Sequence, residues 1–221
     1  MHNLKNLIFD LDGTLVDSSK TIGMSIEFAI DGMSFTKRSD KPIEAMIGAP
    51  LLDIFREEFG MSDEQAFAAI DLYREHYDSL KQEGTRVYEN VRDVLTALTH
   101  AGFRLFIATV KPTSIAEKVL DDLELKSSFD GVAGASLGSE RRDKSSIIAH
   151  ALRTFRLDPM HSIMIGDRDQ DIVGARENGL LAIGVTYGFG SRDELLEARP
   201  VHLVDDSNEI LSLLVNPDAA K

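Results

Sequence analysis

Cysteine is missing from all 221 residues of this chain, which excludes disulfides, thiolate zinc sites and cysteine nucleophiles. The absence suits a reducing compartment. Cations are scarce: 24 Lys and Arg stand against 37 Asp and Glu, a formal net charge of −13. A nucleic-acid polymer is therefore not an expected partner, because gripping a phosphate backbone needs clustered basic residues. A small phosphorylated metabolite stays compatible, since charge inside a pocket can oppose the overall sign. No apolar run is long enough to span a bilayer, so no membrane is expected as a partner. The acidic pair Asp10 and Asp12 arrives too early to leave room for a signal peptide, and the expected location is cytoplasmic. No internal repeat appears, and no low-complexity tract beyond the tail at 216–221.

The residues that are present show two textures. Over 4–15, and again from 87 onward, short apolar strands alternate with amphipathic helices. Val91, Val94, Leu95 and Leu98 stripe one helix, stopped at Gly102. A buried strand at 103–109 follows, then a helix carrying Ile115, Val119, Leu120 and Leu123, and a short strand at 132–133. Ile147, Ile148, Ala151, Leu152 and Phe155 mark a helix before the strand 162–165. Ile172 and Ala175 mark another before the strand 180–185. An edge strand at 201–204 and a last helix near 210–214 complete the series. Strands and helices in alternation imply right-handed crossovers and a mainly parallel, doubly wound α/β sheet of Rossmann-like type.

Between about 17 and 86 no convincing strand appears. Ala66, Ile70, Tyr73, Tyr77 and Leu80 fall on one helix face, and Ser62 with Gln65 has the form of a capping box. Ile22, Ile26, Ala29 and Ile30 make a second helix, and 51–59 a third. The expected organisation is a core of 1–16 and 86–221, with an all-helical domain of 17–85 inserted after the first strand.

Chemistry concentrates at strand ends. In an open parallel sheet, ligands bind beyond the carboxyl ends of the strands. Phe9-Asp10-Leu11-Asp12-Gly13-Thr14 places two carboxylates at i and i+2, on one side of the first strand's end, before a glycine that lets the chain turn. Such a pair repels itself unless a cation intervenes or one member keeps its proton. After the next strand comes Thr109-Val110-Lys111, a hydroxyl followed by amides entering a helix, which suits an anion. Lys144 opens a helix in a basic run with Arg141 and Arg142. Gly166-Asp167-Arg168-Asp169-Gln170-Asp171 follows another strand. The last stretch begins like a calcium loop, but Ile172 stands where that loop requires glycine.

In this order the residues resemble the four motifs of the haloacid dehalogenase superfamily: Asp10-Leu11-Asp12-Gly13-Thr14, Thr109, Lys144, and Gly166-Asp167 with Asp171. The helical insert resembles the cap of its phosphoglycolate phosphatase-like and 5′-nucleotidase-like members. The resemblance implies a Mg²⁺-dependent phosphatase that hydrolyses small phosphomonoesters through an aspartyl-phosphate. Asp10 would be the nucleophile and Asp12 the general acid/base. Thr109, Val110 and Gly13 would hold the phosphoryl group, and Lys144 would neutralise both phosphate and nucleophile. Asp10, the Asp12 carbonyl, Asp167 and, at one remove, Asp171 would hold Mg²⁺. Charge supports a divalent cation there, because a phosphomonoester carries roughly −1.5 to −2 at neutral pH and the site itself is acidic. Val110 departs from the family's usual Ser or Asn, and Glu89-Asn90 from its Pro-Gly. Lys111 and Arg168 are as compatible with the surface as with substrate. The alternatives are a phosphosugar mutase of the same superfamily or a non-catalytic receiver-type phospho-acceptor. A monomer or homodimer is expected.

Overall fold

The computed structural model describes residues 4–35, 39–80, 83–136 and 143–215. Arg141, Arg142 and the tail at 216–221 lie outside the described residues. The chain divides into two compact units, one of Met1–Val16 with Val87–Lys221 and one of Asp17–Arg86.

The first unit is built on a six-stranded sheet of β1 (Asn6–Phe9), β4 (Arg104–Pro112), β5 (Gly131–Ala135), β6 (Ser162–Gly166), β7 (Leu181–Val185) and β8 (His202–Val204). Their order is β5-β4-β1-β6-β7-β8, and every neighbouring pair is parallel. Register fixes which face each side chain takes, since successive residues of a strand point to opposite sides. Leu7, Phe9, Leu105, Ile107, Ile163 and Ile165 join one buried cluster. Ile8, Phe106, Ala108 and Met164 join the other. Both faces are covered, which is why the central strands read as unbroken apolar runs. The first face takes α4 (Val91–His100), α5 (Thr113–Asp122) and α9 (Ser207–Val215) through Val94, Leu98, Val119, Leu120 and Ile210. The second takes α6 (Lys144–Phe155), α7 (Asp169–Glu177) and α8 (Arg192–Ala198) through Ile147, Ile148, Ile172, Ala175 and Leu195.

The structure departs from the sequence reading at several places. Val110 and Lys111 do not enter a helix: β4 runs on to Pro112, with a register shift between Thr109 and Pro112, and α5 begins at Thr113. The residue before a proline is biased toward extended backbone, so the helix cannot start earlier. The helix α8 went unread in the sequence, although Ser191 caps it by accepting from Glu194 N at 3.1 Å. The third helix of the insert is a short α2 (Leu51–Asp53) that passes into a π-helical turn, Ile54–Glu58.

The second unit packs α1 (Ser19–Gly32) against α3 (Asp63–Ser79). Ile22, Ile26, Ala29 and Ile30 form the buried face of the first, and Ala66, Ile70, Tyr73 and Tyr77 that of the second. Leu80 is the C-cap of α3 and lies outside its helical span. The Ser62–Gln65 capping box is complete: Gln65 N donates to Ser62 Oγ at 3.3 Å and Ser62 N to Gln65 Oε1 at 2.9 Å. At the division between the units, β2 (Val16–Asp17) pairs with β3 (Arg86–Val87), a two-stranded ribbon where no strand was expected.

Candidate functional site

Asp10 follows the last residue of β1 and continues its ladder, donating from its backbone N–H to Ile165 O at 2.9 Å. The carboxylate thus sits at the carboxyl end of the central strand, 2% exposed. Gly13 then turns the chain with φ +88°, in the left-handed region that glycine adopts without steric cost. A Cβ at this position would land on the Asp167 carboxylate. Glycine is needed here twice over, for the turn and for the close approach.

Asp167 leaves the end of β6 fully buried. Its Oδ1 accepts from Thr14 Oγ1 at 3.2 Å and its Oδ2 from Phe189 N at 2.8 Å. Burial, reinforced by the charges of Asp171 and Asp10, pushes its carboxyl well above the usual range. Gly188 and Gly190 flank the amide donor, and neither has room for a Cβ against Asp167. Tyr187 donates its hydroxyl to Thr14 O at 3.0 Å, and burial holds that phenol in the neutral form.

Asp171 lies in the first turn of α7, where its Oδ2 accepts from Arg168 N at 3.1 Å. It too is fully buried, and burial together with the Asp10 charge pushes its carboxyl up to about 6. Lys144 limits that rise. From the start of α6 its Nζ reaches Asp10 Oδ1 at 2.8 Å, Asp171 Oδ1 at 2.7 Å and Ala108 O at 3.1 Å. Burial opposes the Lys144 charge, but the two carboxylates overcome it and raise its pKa above the ordinary value.

The sequence-derived candidates Asp10, Asp167, Asp171 and Lys144 are therefore brought together. Carboxylate oxygens of the three aspartates lie within 4.8 Å of one another, the one such group of acidic and imidazole side chains among the described residues. Asp10 Oδ1 and Asp171 Oδ1 are buried with ion-pair contact to Lys144 but without a well-directed hydrogen bond. Three carboxylates facing one ammonium, with two oxygens short of directed partners, fit a hard cation with oxygen ligands.

Of the remaining candidates, Asp12 lies beyond β1, and Thr109 and Val110 lie on β4. Asp12 is 8% exposed, and its Oδ2 pairs with Lys111 Nζ at 2.7 Å. Thr109 is buried, and its Oγ1 accepts from Lys111 N at 3.2 Å across the β4 irregularity. Val110 beside it is half-buried. Arg168 turns its guanidinium to Glu194, Nε to Oε1 at 2.7 Å. Sequence reasoning did not assign Tyr187, the 188–190 loop or Glu194 to this region. The available signal was positional, since Gly188-Phe189-Gly190 also follows a strand's carboxyl end.

A sequence profile described as "Haloacid dehalogenase-like hydrolase" matches residues 7–185. The chain belongs to this family. Among its haloacid dehalogenase-like relatives, a 5′-nucleotidase of Pseudomonas aeruginosa is 36% identical over 201 residues, 91% of each chain. A phosphoglycolate phosphatase of Vibrio cholerae is 25% identical over 223 residues, covering 97% of this chain and 99% of the relative. The crystal structure of a predicted phosphatase from Clostridium acetobutylicum superposes with a TM-score of 0.90 at 33% identity, over 96% of this chain and 98% of the other. The haloacid dehalogenase-like profile spans the first strand, the whole insert and the sheet as far as the end of β7, so it takes in every residue of the acidic cluster. No helix among the described residues is long and apolar enough to cross a membrane.

Proposed function

We propose that this haloacid dehalogenase-like hydrolase is a Mg²⁺-dependent phosphatase of small phosphomonoesters, with phosphoglycolate and nucleoside monophosphates as the first substrates to test. One observation carries the proposal: the buried convergence of Asp10, Asp167 and Asp171 on Lys144 at the carboxyl end of the sheet. Two relatives named for phosphate-ester hydrolysis point the same way.

In this mechanism an Asp10 carboxylate oxygen attacks phosphorus in line. The bond to the ester oxygen breaks, and Asp12 gives that oxygen a proton. A water molecule then attacks the phosphorus of the aspartyl-phosphate, Asp12 takes its proton, and Asp10 leaves as the free carboxylate. Lys144 offsets the charge that builds beside Asp10, from a position its two ion pairs already fix. The Thr109 hydroxyl and the Val110 amide are assigned to the phosphoryl oxygens; the expected part of Gly13 in holding them is not carried by its amide, which already donates to Val16 O at 2.8 Å. Asp10, Asp167 and the Asp12 carbonyl would hold Mg²⁺, with Asp171 alongside. When bound, the ion would supply positive charge that lets a dianionic ester approach an acidic site. The Lys111–Asp12 pair holds the proposed acid/base group in place before substrate arrives. The unit of Asp17–Arg86, helical between its two terminal strand residues, is assigned the role of cap, which reads the leaving group.

A panel of phosphomonoesters assayed for phosphate release with Mg²⁺, with Asp10→Asn as the blank, tests the proposal. Repeated turnover of small esters by the wild type alone is expected. Equal turnover by the Asn variant would discredit the nucleophile. A requirement for a bisphosphorylated sugar primer would favour the mutase alternative.

A further inference from the structure

The two-residue loop between β6 and α7 and the first turn of α7 carry two of the three clustered carboxylates, Asp167 and Asp171, yet their outer side is held from a helix that contributes nothing to the cluster. Glu194, on the first turn of α8, receives two hydrogen bonds on a single oxygen. Its Oε1 accepts from Arg168 Nε at 2.7 Å and from Asp169 N at 3.0 Å. Arg168 and Asp169 are the two residues that follow Asp167 and precede Gln170 and Asp171. The same stretch of chain that leads into α8 also approaches Asp167 from the other side, where Phe189 N donates to its Oδ2. The start of α8 is itself pinned, by the Ser191 cap on Glu194 N. Asp167 and Asp171 repel each other and Asp10, and only two residues separate β6 from α7. Repulsion would open that short loop unless something outside the cluster restrained it.

We propose that Glu194 is a positioning residue for the metal site: by clasping Arg168 and the Asp169 amide, it holds Asp167 and Asp171 in the converging geometry a divalent cation requires. The proposal rests on the phosphatase function put forward above. The clasp also gives the Arg168 guanidinium a carboxylate partner outside the cluster. Outer partners of metal ligands commonly change metal affinity by about 10–100-fold when removed.

The test is Mg²⁺ binding by the full-length protein, measured by calorimetry and by the Mg²⁺-dependent rise in Tm, both without substrate. Glu194→Ala should raise the Kd about tenfold or more, and Arg168→Ala, which removes the other half of the clasp, should shift it in the same direction. Glu194→Gln keeps an acceptor oxygen and should return the Kd to within about threefold of wild type. Arg192, on the same helix as Glu194, pairs at the surface with Asp205 beyond β8; Arg192→Ala breaks that pair and should leave the Kd unchanged, which separates positioning from general loosening of α8. In the phosphatase assay, Glu194→Ala should need more Mg²⁺ for half-activation while keeping kcat at saturating Mg²⁺. Wild-type affinity in either alanine variant of the clasp, or an equal loss in Arg192→Ala, would overturn the assignment alone. Failure of the wild type to bind Mg²⁺ would overturn both the assignment and the function beneath it.

Discussion

Replacing Lys144 with Met removes the ammonium that pairs with Asp10 and Asp171 while keeping most of the side-chain volume. At an effective dielectric near 20, unit charges 2.8 Å apart attract by about 6 kcal/mol, and carboxylates 4.8 Å apart repel by about 3.5 kcal/mol. Desolvation of the ammonium cancels much of that attraction, so the net cost is better taken from buried ion pairs that lose one partner, about 3–5 kcal/mol. The cost must depend on pH. Asp171 already titrates near 6 in the folded chain, above its unfolded value of about 3.9. Its contribution to stability is therefore intact below about pH 4 and fades as pH rises through 6. Without the ammonium that value climbs further, and a proton on Asp171 takes over part of the missing positive charge. Urea unfolding in chelator should accordingly show Lys144→Met losing about 3–5 kcal/mol at pH 7.5 and clearly less at pH 5. A loss below about 1 kcal/mol at pH 7.5, or one that does not change with pH, would refute the charge balance described for the cluster.

Other perturbations have equally definite outcomes. Chelation should abolish phosphate release, and added Mg²⁺ should raise the Tm at pH 7.5 more than at pH 5, where protons compete for Asp171. Asp10→Asn should lower kcat by at least about a thousandfold while the circular dichroism spectrum stays native, because the nucleophile is lost and its shape is kept. Gly13→Ala should destabilise the chain by more than about 1 kcal/mol and remove the Mg²⁺-dependent shift in Tm, since its methyl would displace the Asp167 carboxylate. Ser62→Ala breaks the capping box of α3 and should cost about 0.5–2 kcal/mol in urea unfolding.

The alternation of apolar strands and amphipathic stripes made most of the sheet legible, because burial on both faces leaves an apolar run that composition alone reveals. The register shift in β4 was hidden, since it lies where the Lys111 and Thr113 backbone closes on Gly134 of the neighbouring strand and not in any pattern along β4 itself. The helix α8 escaped because only Leu195 and Ala198 are buried on its seven residues, too few to show a period. The acidic cluster was readable at Asp10, Asp167 and Asp171 through their positions at strand ends. Its outer supports were not: Glu194 and Phe189 meet the β6–α7 loop only through the fold, and a backbone amide donor leaves no trace in side-chain identity.

The placement of β1 at the middle of the sheet has a consequence for biosynthesis. Its two neighbours are residues 104–107 and 162–165, so one edge of β1 stays open until residue 107 has been made and the other until residue 165. Until then Leu7-Ile8-Phe9 emerges from the ribosome as an unpartnered apolar segment, the kind of edge that templates aggregation. The helices of residues 17–86, whose contacts are largely local, are free to form in that interval. Truncated nascent chains that stop before residue 162 should therefore hold a folded helical unit beside an unfinished sheet, and depend on chaperones in proportion.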